Sequence, residues 1–128
     1  MQWAPQFDLA MLKLAAIAVI IPSLGEELLF RAAILPKPEA EAPLPIKWMV
    51  LSTLMFVLWH PIQAPIYGGA FGAMMLNPWF LVAVALTGFA CARLYWETRS
   101  IWPAVALHWI VIMAWKALLD GPSPWTTA

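Results

Sequence analysis

Four apolar runs constrain this chain more than any other feature: roughly Leu9 to Leu35, Ile46 to Tyr67, Trp79 to Thr98 and Ile101 to Leu119. Each is near the ~20 residues that an α-helix needs to cross the hydrocarbon core of a bilayer. Backbone N–H and C=O groups in lipid must be bonded within the segment, and none of the runs shows the period-2 alternation of a barrel strand. Composition points the same way, with 63% of the 128 residues hydrophobic and 11% charged, against about 25% charged in an ordinary soluble domain. The expected fold class is all-α, a polytopic membrane helix bundle of about four transmembrane helices, with residues 1–128 forming one domain.

The links between the runs differ. Pro36 to Pro45, "PKPEAEAPLP", stops the first helix and keeps a polar loop in water. Gly68 to Pro78 is glycine-rich and uncharged, and its conformation is not fixed by its sequence. The link at Glu97 to Ser100 is short enough to force the last two helices into an antiparallel hairpin. Trp48, Trp79, Trp96 and Trp102 fall at segment ends, where an amphipathic ring prefers the headgroup level, whereas Trp59, Trp109 and Trp115 fall inside and read as packing residues. Lys37, Lys47 and Arg99 collect on one side and Lys13 and Lys116 on the other, so the positive-inside rule leans towards both termini outside. The first run is expected to be retained rather than cleaved as a signal peptide. Seven basic and seven acidic residues give a formal net charge of zero, which leaves no basic patch for nucleic acid. The lone Cys91 reads as a small buried hydrophobe.

A few ionisable groups interrupt the apolar runs: Glu26, Glu27 and Arg31 on the first, His60 on the second, Arg93 near the end of the third and His108 on the fourth. Such groups are costly in a membrane, so they normally face the bundle interior. Glu27 and Arg31 are four apart with the acid first, the favourable order for an ion pair, and read as a structural clamp. Glu26 points about 100° away on an ideal helix and is left without a partner there. Pro61, directly after His60, is expected to break or kink the second helix. Counting from the loop face at ~1.5 Å per residue puts Glu26, His60 and His108 within reach of one mid-membrane pocket. Arg93 is expected to snorkel towards headgroups.

One glutamate and two histidines support two chemistries. Without metal, Glu26 and one histidine orient a water and take its proton as it attacks a carbonyl, while the other histidine donates to the oxyanion. With zinc, Glu26, His60 and His108 become the ligands and the metal acidifies the water. No HExxH or other local zinc motif selects the second version.

"EELLFR" is an EExxxR motif, "FVLWH" an FxxxH motif, and "TRSIWPAVALHW" resembles the later histidine motif of the CAAX protease and bacteriocin-processing family of intramembrane proteases, in family order and over roughly Leu24 to Trp109. The resemblance implies a type II CAAX prenyl endopeptidase-like, glutamate-dependent endopeptidase, its catalytic core spanning residues 1–128. Carried over by position, Glu26 is the catalytic base, His60 its partner and His108 the oxyanion donor, with Glu27, Arg31 and Phe56 in supporting places. No cofactor and no required metal are expected. The family often has Asn or Asp four residues after the last histidine, where this chain has Ile112. Relatives usually have more helices ahead of EExxxR, so a minimal member, a fragment, or a chain that completes its bundle as a homo-oligomer is expected.

The expected function is hydrolysis of a peptide bond in a membrane-anchored peptide or protein, with membrane lipid as surroundings and a bacterial inner membrane as the location. Two other readings stand beside it: a catalytically inactive scaffold or bacteriocin-immunity partner of the same fold, motivated by Ile112 and the short chain, and a proton conduit through Glu26, His60 and His108.

Overall fold

A computed structural model describes residues 5, 7–37, 42–119 and 121–122. Among these the chain is helical and has no strand. Four helices are long and apolar enough to cross a membrane: Leu9–Ala32, Ile46–Tyr67, Pro78–Thr98 and Trp102–Leu119. The protein is an integral membrane protein of the all-α class.

The first span is not one regular helix. Helix α1 (Leu9–Ala18) opens on Asp8, whose carboxylate accepts from the Met11 N–H at 2.8 Å, an N-cap that satisfies one otherwise orphan donor. Regular winding fails at Ile21, which is extended at φ −127° and ψ 114°, next to Pro22. Pro22 lacks the N–H that would continue the ladder. The chain then re-enters a short turn, α2 (Gly25–Glu27), followed by wide π-type winding over Leu28–Ala32. Near the break, the Val19 N–H turns to the Ile17 carbonyl. The Ala15 carbonyl, its partner in an ideal helix, instead accepts from the Trp109 indole at 2.8 Å.

Helix α3 (Ile46–Tyr67) continues through both Pro61 and Pro65, so Pro61 does not break it as expected. Gly68 and Gly69 then turn the chain at φ +62° and +57°, a conformation glycine enters without steric cost. The glycine-rich link proves to be a short helix, α4 (Gly69–Met75), packed back along α3. Asn77 caps α5 (Pro78–Thr98) by accepting from the Trp79 and Phe80 N–H groups. Helix α6 (Trp102–Leu119) follows after a three-residue link.

Contacts fix the directions. Along α3, Met49, Phe56 and His60 meet Ala92, Gly88 and Phe80 of α5 in descending order, so the two are antiparallel. Cys91 with Ala104 and Phe80 with Trp115 show that α5 and α6 form the expected antiparallel hairpin. Helices α3 and α6 therefore run the same way. Trp79 and Trp102 are exposed at 82% and 61%. Arg93 is half exposed and pairs with Glu97 one turn on, towards the end of α5.

Candidate active site

Phe56, only 2% exposed, organises the polar centre. Phe30, His60 and His108 meet its ring edge to face, at centroid distances of 5.5, 4.9 and 5.5 Å. The Arg31 guanidinium lies over it at 4.4 Å, where the ring quadrupole attracts a cation. One apolar ring thus spaces two histidines and a buried cation contributed by three spans.

Arg31 is fully buried and held three ways. Its Nη2 donates to the Gly88 carbonyl at 2.8 Å, its Nε sits 3.2 Å from Glu27 Oε2, and Phe56 covers its face. The Glu27–Arg31 contact has ion-pair distance without hydrogen-bond alignment. Ser52 Oγ, also fully buried, donates to the Phe30 carbonyl at 2.6 Å and ties α3 to the wide turn carrying Arg31. Gly88 makes the arginine's approach to α5 possible. A Cβ there would lie 2.7 Å from Phe56 Cδ1 and 3.1 Å from Arg31 Nη2. Gly88→Ala is therefore expected to cost about 1–3 kcal/mol through overpacking, read as a lowered thermal midpoint of the detergent-solubilised protein. An unchanged midpoint would show that Phe56 has room to yield.

His108 is where the two carboxylates meet. Glu27 Oε1 lies 2.8 Å from Nδ1, and Glu26 Oε1 lies 3.7 Å from Nε2. Glu27 thus holds Arg31 with one oxygen and His108 with the other. Glu26 stays apart from Arg31 as expected, and the two glutamates reach the one ring at different nitrogens. An ionised carboxylate can only accept, so the Nδ1 of His108 carries the hydrogen and Nε2 faces Glu26. His60 Nδ1 lies 2.8 Å from the Phe56 carbonyl, another obligate acceptor, which makes Nε2 the acceptor nitrogen of the neutral ring.

Glu26, His60 and His108 line a common cavity of about 420 Å³. Its walls are mostly apolar, and Ile112 is among them. Trp59 also lines it, so the indole read as internal packing borders the site. Among the described residues, no three His, Cys, Asp or Glu side chains are placed to hold a metal ion. Glu26, His60 and His108 share the cavity without forming a ligand set.

A model of the type II CAAX prenyl endopeptidase Rce1-like family matches residues 8–113. The chain belongs to that family. The match runs from the N-cap of the first span, through both glutamates, His60 and His108, to Met113 on α6. No curated protein and no solved structure matches the chain. As an Rce1-like protein it is a member of a protease family whose polar centre lies among apolar spans.

Sequence reasoning missed Ser52, Gly88 and Trp59. Gly88 alone carried a signal, since an isolated glycine inside a helical run often marks a close approach. Ser52 and Trp59 look ordinary until their neighbours from other helices are in place.

Proposed function

We propose that this Rce1-like chain is an intramembrane endopeptidase of the glutamic type, acting on a membrane-anchored peptide or protein. CAAX prenyl proteins are the class suggested by its family, and a bacterial inner membrane is the proposed location. The observation that carries the reading is the pair of carboxylates on the two nitrogens of His108, at a cavity that His60 also lines.

In this mechanism Glu26 takes a proton from water as the water oxygen attacks the substrate carbonyl. His60 accepts a hydrogen bond from that water through Nε2 and so orients it. His108, its ring fixed by Glu27, donates Nε2–H in its protonated form to the oxygen that gains negative charge. The proton on Glu26 then passes to the leaving amine as the C–N bond breaks. Arg31 and Phe56 hold the histidine rings and Glu27 in register and touch no reacting atom.

Detergent-purified protein incubated with membrane-anchored peptides, with and without chelator, tests this. Cleavage is expected to be unaffected by chelator, and its loss on chelation with recovery on adding metal would overturn the metal-free mechanism. Ile112, an apolar side chain on the cavity wall at the position where the resemblance expects Asn or Asp, favours one second reading: an inactive scaffold or immunity partner. That reading predicts cellular function that survives Glu26→Gln.

A further inference from the structure

The first half of the first span is held to the bundle by few contacts. Along α1, Leu9, Leu12 and Ile17 are exposed, and Ala18 is its one buried residue among those described. Beyond its own continuation, α1 packs chiefly against α6. Among the described residues, the bond from the Trp109 indole to the Ala15 carbonyl, at 2.8 Å, is the one hydrogen bond that joins α1 to another span. It gives a backbone carbonyl inside an apolar span a donor that lipid cannot supply.

The residues after the break are anchored separately. Extended Ile21 and Pro22, which has no N–H, interrupt regular winding between α1 and α2. Beyond them Glu27 meets both Arg31 and His108, and Arg31 is bonded to the Gly88 carbonyl of α5. The acid–histidine cluster therefore has its own supports, none of them on α1. Leu14 and Ala18 of α1 nevertheless line the same cavity as Glu26, His60 and His108. Consecutive residues of α6 thus serve the two halves of the broken span: His108 meets the glutamates after the break, and Trp109 holds the wall before it.

We propose that Trp109 is a positioning residue: its indole pins α1 against α6 and so sets how closely the wall of Leu14 and Ala18 approaches a bound substrate chain. Trp109 acts through that wall and touches no reacting atom. Because the acid–histidine cluster is held independently of α1, loss of the indole N–H weakens substrate binding and spares the chemical step. This inference rests on the endopeptidase reading and adds the residue that fixes one wall of its cavity.

Spin labels on Leu12→Cys and Ile110→Cys, two exposed positions that do not line the cavity, report the distance between α1 and α6 in a Cys91→Ala background. Protein bearing Trp109 is expected to give one narrow distance distribution, and Trp109→Phe a broader one shifted to longer distance. In cleavage of a membrane-anchored peptide, Trp109→Phe is expected to raise KM about 3- to 10-fold, the worth of one neutral hydrogen bond, with kcat within about twofold. The dissociation constant of the same peptide on Glu26→Gln protein, read by fluorescence anisotropy, is expected to rise by the same factor. Trp109→β-(3-benzothienyl)alanine keeps the shape of the indole with sulfur in place of N–H, and it is expected to reproduce the Phe results. It also carries the test if the smaller ring prevents folding. Wild-type distances with this isostere would overturn the proposal, since shape and not the hydrogen bond would then hold α1. A fall in kcat at unchanged KM would overturn it too, by moving the effect of Trp109 to the chemical step or to the folded fraction. Distance and binding are read without cleavage, so a wild-type protein that cuts no peptide would sink the endopeptidase reading separately from this one.

Discussion

Glu26→Gln is expected to lower kcat for peptide cleavage by about 10²- to 10⁴-fold while leaving KM and thermal midpoint close to wild type. General base catalysis by a positioned side chain is worth about that factor. An amide of the same shape fills the same space but cannot take a proton. Glu26 makes no ion pair with Arg31, and its 3.7 Å separation from His108 Nε2 is too long for a strong hydrogen bond, so little of the fold depends on its charge. The measurement is steady-state cleavage of a membrane-anchored peptide, with unfolding in the same detergent as control. A variant that cleaves at the wild-type rate would remove Glu26 from the chemistry. A variant that loses cleavage only because its midpoint collapses would reassign it to structure.

Arg31→Met carries the largest expected effect on stability, about 3–5 kcal/mol. The substitution removes the donor to the Gly88 carbonyl and the charge over Phe56, and it leaves Glu27, which has no exposed surface, facing the vacated space. Breaking a buried pair from one side strands the other charge away from water. The double variant Glu27→Gln/Arg31→Met tests this account, because removing both charges should cost clearly less than the sum of the single changes. Denaturant unfolding in mixed micelles reads the difference. Strict additivity would show that Glu27 and Arg31 are independent, with His108 alone holding the glutamate.

The span count and the family were legible in the chain because a bilayer demands long apolar runs and because EELLFR and FVLWH retain their spacing. The Glu27–Arg31 pair was legible for a local reason, the i,i+4 geometry of one helix turn. The same logic holds at Glu26, which winding turns about 100° from Glu27 and which makes no pair with Arg31; what it could not show is that His108, from another span, lies between the two carboxylates. At Pro61 a break or kink was expected, and α3 is unbroken there.

By itself, then, the sequence determined what lies within one turn or one span: which segments enter the membrane, which charges pair on a single helix, and which residue types are left over for chemistry. Only the tertiary structure decided that Glu26 and Glu27 share His108, that Phe56 spaces two histidines and an arginine, that Gly88 admits the guanidinium, and that Lys116 lines the same cavity as Glu26. Each of these joins residues from different spans, and the packing that joins them depends on how side chains from several helices fill a common volume, which no single stretch of chain encodes.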